Sequence, residues 1–233
     1  MLEIIRRVRH SETTLSFYFI EVVDDEIVLE IADLTKCVRD NVEGCIEVVA
    51  CGTSMFVEFH VIQTDAEKVT REVIDLLDKF NNSKHEEVTE VKKIELPVYY
   101  GAEVAVDLAM LAEEKKLTVD EVVKIHSNAV YKVISLGFAP GFAYLSGLDE
   151  RLVIPRMSTP KTVTKGSLGI ADRQTAVYPK TSPGGWVIIG NCPVELFDVR
   201  AGNVEEISPF EVGAEVRFVP VSRDEFIKLG GQL

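Results

Sequence analysis

Among 233 residues there are four cysteines, four histidines and one tryptophan, and the cysteines form no CxxC pair. Cys37, Cys45 and Cys51 lie close together, Cys192 lies far away, and no histidine stands at zinc-finger spacing from any of them. That excludes the common structural zinc motifs and leaves no metal site in view. A chain of this length can build its core without disulfides, so free thiols in a cytoplasmic protein are expected. Positive charge is scarce too: 25 Lys and Arg face 38 Asp and Glu, a net charge of −13. Such a balance argues against nucleic acid and against anionic membranes, which both attract a positive face. No apolar run approaches the length of a transmembrane helix, and the start, MLEIIRRVRH, lacks the apolar stretch of a signal peptide. GxSxG, HExxH, GxxxxGK[ST] and GxGxxG are all missing, so the usual nucleophile, zinc and nucleotide-loop signatures are excluded. An enzyme without them is expected to need a second chain to complete its site.

What is present suits a soluble globular protein: 46% hydrophobic and 27% charged residues, enough for one large domain or two small ones. Residues 14–22 (TLSFYFIEV) read as a strand. Ile27, Ile31, Leu34 and Val38 then recur at helical spacing, with Asp24 as cap and Gly44 as stop. Strands are expected at 46–50 and 55–61. A helix follows that Asp65 caps and that carries Val69, Val73, Leu76, Leu77 and Phe80 along one face. The polar run 81–87 (NNSKHEE) marks a boundary, which divides the chain into residues 1–86 and 87–233.

The second part opens on alternation at Ile94, Leu96 and Val98. Two helices follow, the later one begun by a Thr118/Glu121 capping box and carrying His126 on its apolar side. Short strands are then predicted at 130–136, 153–154, 175–178, 186–189, 196–199 and 215–220, with Gly/Pro turns that suggest a barrel or rolled sheet. The fold class is therefore α+β.

Between Arg151 and Val194 the balance of charge reverses. Arg151, Arg156, Lys161, Lys165, Arg173 and Lys180 meet a single acid, Asp172, in a stretch crowded with Gly and Pro. Clustered cations attract a small anion, unless they pair with acids of other loops. Upstream, GFAPGFAYL (137–145) supplies Phe138, Phe142 and Tyr144, which either line a pocket or plug one end of a barrel. His126, in the last turn of its helix, is a candidate base or carboxylate holder, or else a hydrogen-bonded core residue. Ser182, Gly184 and Gly185, beside the lone Trp186, could present N–H groups to an anion.

GFAPGFAYL, IPRMSTPK (154–161), GSLGIADRQTAVYP (166–179) and SPGGWVIIGNCPVELFD (182–198), in that order, resemble the signature of the 5-oxoprolinase B-subunit family. That family also takes in the sensor-kinase inhibitor KipI and the allophanate-hydrolase subunit 1 type of carboxyltransferase domain. The resemblance implies a small N-terminal α/β sandwich followed by a cyclophilin-like β-barrel. It implies ATP-dependent opening of 5-oxoproline to glutamate, with ATP bound in an assembled complex and a chain inactive alone. The implied partners are a companion carboxyltransferase-like subunit and a lactam-utilisation subunit.

His126, Phe138, Pro140, Phe142, Arg156, Gln174, Tyr178, Pro179, Gly184, Gly185 and Trp186 match the family pattern. Of these, His126, Arg156 and Gln174 are the expected catalytic residues. Phe138, Pro140, Phe142, Lys161, Tyr178, Gly184, Gly185 and Trp186 are expected to bind a small acidic substrate. Lys161, Thr164 and Asn191-Cys192 depart from the family pattern, and Lys in place of Arg loses two-pronged geometry. Two other readings stay open: an inhibitor that docks on a sensor histidine kinase, and a carboxyl-transfer partner of a biotin-dependent system.

Overall fold

A computed structural model describes residues 1–21, 24–83, 91–200 and 207–233 of the chain. The residues form two compact units, Met1–Glu90 and Val91–Leu233. The expected division at 86/87 falls within 84–90, outside the described residues.

In the first unit β1 (Arg6–Arg9), β2 (Thr14–Tyr18), β3 (Cys45–Cys51) and β4 (Ser54–Phe59) form an antiparallel sheet in the order β1-β2-β4-β3. α1 (Asp25–Asn41) packs on β3 and β4 and against α2 (Ala66–Asn82). Both helices start where a carboxylate satisfies orphan N–H groups. Asp24 accepts from Glu26 and Ile27, each at 3.1 Å, and Asp65 accepts from Glu67 and Lys68 at 2.9 and 2.8 Å. Ile31, Leu34 and Val38 on α1, and Val69, Val73 and Leu77 on α2, are buried as their spacing predicts, while Ile27, Leu76 and Phe80 on the same faces are half-buried. α2 runs further than expected. Asn81 belongs to the helix, and its side-chain amide bonds both the N–H and the carbonyl of Leu2 at 2.9 and 2.8 Å.

The second unit is a rolled sheet. β5 (Lys93–Val98) pairs in parallel with β13 (Glu215–Pro220), which pairs antiparallel with β6 (Tyr131–Leu136). From β6 the order continues through β7 (Ala143–Ser146), β10 (Gln174–Val177), β9 (Ser167–Ala171) and β12 (Val187–Asn191). Asn191 then exchanges two 2.9 Å backbone hydrogen bonds with Tyr99, the residue after β5, so the sheet meets its own beginning. β8 (Lys161–Val163) and β11 (Ser182–Gly184) form a separate ribbon, and α3 (Leu108–Lys115), α4 (Val119–Asn128) and α5 (Arg223–Lys228) complete the unit. The Thr118/Glu121 capping box on α4 is formed.

Strands β9, β10 and β12 are buried on both faces, which removes the polar alternation of a half-exposed strand. On the inner face Leu168, Ile170, Val177, Val187 and Ile189 join the main core with β5, β6 and β13. On the outer face Ala171, Ala176, Tyr178, Trp186 and Ile188 join a second cluster with Phe142 and Val163. The 137–144 turn and the β8–β11 ribbon cover this outer face.

Two predicted strands do not form. At 196–199 the Asp198 carboxylate binds the Arg200 N–H at 2.9 Å and its guanidinium, a local turn that competes with extended pairing. At 153–154 only Ile154 pairs, by one bridge to Asp172, because Asp149 caps a 3₁₀ turn over Glu150–Leu152.

Candidate functional site

The outer cluster forms the floor of a cleft of about 260 Å³. Phe142 is its centre, in edge-to-face contact with Tyr144, Tyr178 and Trp186 at ring separations of 4.9, 5.4 and 5.8 Å. Edges against faces satisfy the ring quadrupoles, so the walls are stiff as well as apolar. Phe138 packs on Phe142 at 5.0 Å yet remains 59% exposed at the cleft rim. Its φ of 66° is an uncommon conformation for a bulky residue, and it holds that ring up over the opening.

Gly184 lies over the Tyr178 ring. A Cβ there would come within 2.5 Å of the Tyr178 hydroxyl and 2.9 Å of Val163, so any larger residue would shift this wall. Burial pushes the Tyr178 phenol above its ordinary range, offset in part by the Trp186 amide N–H donated to its oxygen and by the charge of Arg156.

Arg156 stands on a short arch clamped at both ends. Ile154 accepts from the Asp172 N–H at 2.6 Å, and the Met157 N–H donates to the Gly185 carbonyl at 2.7 Å. The arch thereby holds Arg156 against the β9–β10 hairpin on one side and the turn before β12 on the other. Arg156 lines the cleft, is exposed, and makes no ion pair or side-chain hydrogen bond among the described residues. Gln174 lines the same cleft half-buried, with its amide equally uncommitted among those residues. A planar cation, an amide and aromatic walls can hold a small flat acid: the fork takes a carboxylate, the amide takes a carbonyl or N–H, and the rings cover the faces.

Arg156, Gln174, Phe138, Phe142, Tyr178, Gly184, Gly185 and Trp186, distant in sequence, thus converge on one cleft. Three expected site residues do not join them. His126 is 0% exposed on the inner face of the sheet; its Nδ1 bonds the Tyr100 hydroxyl at 3.0 Å and its Nε2 the Thr175 hydroxyl at 3.1 Å. Burial lowers its pKa from 6.5 to about 3, so it is a neutral core residue and cannot reach a ligand in the cleft. Lys161 pairs with Gly184 in the ribbon register but lines a different groove of about 580 Å³, and its Nζ binds the buried Asp107 at 2.7 Å. Asp107 also accepts from the Ile188 N–H at 2.8 Å, which makes Lys161 the counter-charge of a structural carboxylate. Pro140 is exposed in the turn between Ala139 and Gly141 and does not line the cleft.

Most of the basic stretch resolves the same way. Arg151 pairs with Asp149, Lys165 with Glu195 and Arg173 with Glu150, so these cations, like Lys161, answer acids of the chain. Tyr144, named from the sequence as a pocket or barrel-end aromatic, is a wall residue fixed by Phe142. Sequence reasoning missed Asp172, which lines the rim and whose N–H clamps the arch.

A rolled, mostly antiparallel sheet with an outer aromatic cleft defines the class. The carboxyltransferase domain family, subdomain C and D, matches residues 5–205, and the chain belongs to it. Among individual relatives, the B subunit of 5-oxoprolinase from Bacillus subtilis (strain 168) is 42% identical over 136 residues, which is 57% of this chain and 55% of that protein. Its counterpart in Escherichia coli O157:H7 is 39% identical over 161 residues, 69% of this chain and 72% of that protein. The first of these matches therefore spans little more than half of the relative's length. The crystal structure of TTHA0988 superposes with a TM-score of 0.77 at 25% identity, over 90% of this chain and 40% of that one. Kluyveromyces lactis urea carboxylase shares the fold, with a TM-score of 0.74 at 17% identity over 93% of this chain and 22% of its own.

Proposed function

We propose that the chain is one component of a multi-subunit 5-oxoprolinase and that its outer-face cleft binds 5-oxoproline. The observation that carries this is the uncommitted Arg156 beside Gln174 in an aromatic cleft, in a chain about 40% identical to 5-oxoprolinase B subunits. 5-Oxoproline is a flat five-membered lactam with one carboxylate. Arg156 grips the carboxylate with its two-pronged fork, Gln174 hydrogen-bonds the lactam amide, and Phe142, Tyr178 and Trp186 enclose the ring. A cleft of about 260 Å³ lies just below the ~300–1,000 Å³ of drug-sized ligand sites, which suits a small metabolite and not a nucleotide.

ATP therefore binds on a companion subunit, in keeping with the absence of a phosphate-binding loop from this sequence. Its γ-phosphoryl group passes to the lactam carbonyl oxygen. Water adds to the activated carbon, the ring C–N bond breaks, and the nitrogen takes up the proton. A second water then releases phosphate and leaves glutamate. The residues named here bind and orient the substrate and exclude bulk water. The companions are a carboxyltransferase-like subunit and a lactam-utilisation subunit, the complex is cytoplasmic, and the closed second unit is a cyclophilin-like barrel. No helix of the described residues is long and apolar enough to cross a membrane.

The test is reconstitution. 5-Oxoproline-dependent release of ADP and glutamate is expected when the chain is mixed with both companions, and none from the chain alone. Turnover by the isolated chain, or none from the full mixture, contradicts the proposal.

A further inference from the structure

We propose that His126 is a positioning residue: through the hydroxyl of Thr175 it sets, from inside the sheet, the placement of Gln174 in the cleft outside. The inference rests on the reading of Gln174 as a ligand contact. It begins from an oddity of the core. His126 is completely buried among Tyr100, Tyr131 and Phe218, stacked on Phe218 at a ring separation of 4.9 Å. An apolar side chain would fill that space without the cost of removing an imidazole from water. What the imidazole adds is a hydrogen-bonded chain whose direction is determined.

Thr175 donates its hydroxyl proton to the Gly169 carbonyl at 3.0 Å, so towards His126 it acts as an acceptor. His126 Nε2 therefore carries the ring proton, and Nδ1 accepts from the Tyr100 hydroxyl. Tyr131 donates to the His126 carbonyl at 2.8 Å, which anchors the last turn of α4 to β6. Every member of the chain is satisfied, the condition under which a buried polar network fixes one arrangement of a core.

The chain ends at the parts that build the cleft. Thr175 and Gln174 are successive residues of β10, so their side chains point to opposite faces of the sheet. Gly169, the last acceptor, is where Trp186 rests: a Cβ on Gly169 would lie 3.0 Å from the Trp186 Cβ. The bond from Thr175 to Gly169 thus ties the strand that carries Gln174 to the strand beneath Trp186. His126 holds that hydroxyl in its donating orientation.

The relay is tested with Thr175→Val, which keeps the shape and removes the hydroxyl, and with Thr175→Ser, which restores it. Both are made in wild-type and Gln174→Ala backgrounds and assayed in the reconstituted complex. Thr175→Val is expected to lower kcat/KM about tenfold, the scale of a small misplacement of a substrate contact. Thr175→Ser is expected to recover most of it, and in the Gln174→Ala background Thr175→Val should cost less than about twofold, because the positioned group is gone. Equal losses in both backgrounds would overturn the inference and make Thr175 a stability residue only.

Two readouts on the isolated chain need no turnover. Imidazole ¹⁵N NMR is expected to show Nε2 protonated and Nδ1 bare. The Gln174 side-chain amide resonances are expected to move in Thr175→Val and to return in Thr175→Ser. The opposite tautomer, or Gln174 resonances blind to both changes, sinks the relay even if 5-oxoproline is the substrate. A complex that opens no 5-oxoproline while both NMR results hold contradicts the functional reading and leaves the relay standing.

Discussion

Strand β10 has two faces with opposite duties. Inward, Thr175 meets a neutral histidine and donates to the Gly169 carbonyl, so its hydroxyl is answered on both sides. Outward, Gln174 meets a cleft in which its amide and the Arg156 cation are left unanswered among the described residues. The same contrast separates two cations five positions apart. Lys161 is committed to the buried Asp107, whereas Arg156 is clamped by its backbone and free at its side chain. Local positive charge does not distinguish these cases; commitment to a partner does. Polar groups that are held in place but unpaired are the ones available to a ligand.

The largest effect is expected at the centre of the outer face. Phe142→Ala removes the ring around which Tyr144, Tyr178 and Trp186 are arranged, and should cost about 3–5 kcal/mol in urea unfolding. A loss below about 1 kcal/mol would mean that the outer cluster is not a packed core.

The committed cation comes next. Lys161→Ala leaves the Asp107 carboxylate buried without its counter-charge and should cost about 1–3 kcal/mol, less than a fully buried pair because Lys161 is itself 40% exposed. Calorimetric titration of the complex should show unchanged affinity for 5-oxoproline. Weakened binding at unchanged melting temperature would move Lys161 to the ligand side of the comparison.

His126 makes the inner face sensitive to acid. It titrates near 3 when folded and near 6.5 when unfolded, so between those values the unfolded chain holds the extra proton. Its contribution is complete above about pH 6.5, falls as the pH drops, and levels off near 3; at pH 5 the loss is about 2 kcal/mol. Denaturant midpoints measured from pH 7 to 5 should show this slope in the wild type and a shallower one in His126→Phe. Equal slopes would show that the imidazole is not held neutral. The smallest effect belongs to the first unit: Asp65→Ala removes a cap of α2 and should lower the melting temperature slightly, with no effect on ligand affinity.

Much of this was legible in the sequence because local chemistry decided it. Asp24, Asp65, Thr118 and Glu121 begin their helices as capping rules require, and the helical face that carries His126 is indeed the buried one. The step from buried face to cleft face failed, since helical periodicity does not say on which side of a closed sheet the ligand binds. β1 (RRVR) escaped because a charged edge strand lacks apolar alternation. β9 (SLGIA) escaped because burial on both faces erases it. The convergence of Arg156, Gln174 and Trp186 was suggested by family motifs and not by spacing, because the arch and the ribbon that join them are long-range pairings.

The central claim is that Arg156 is held for a ligand and not for the fold. Affinity for 5-oxoproline and melting temperature, both measured on Arg156→Ala and wild type in the same reconstituted complex, test it most directly. A hydrogen bond to a charged group contributes roughly 1.5–3 kcal/mol, so affinity should fall about ten- to a hundredfold while the melting temperature stays within about 1 °C. A lowered melting temperature with unchanged affinity would make Arg156 a structural residue and contradict the account.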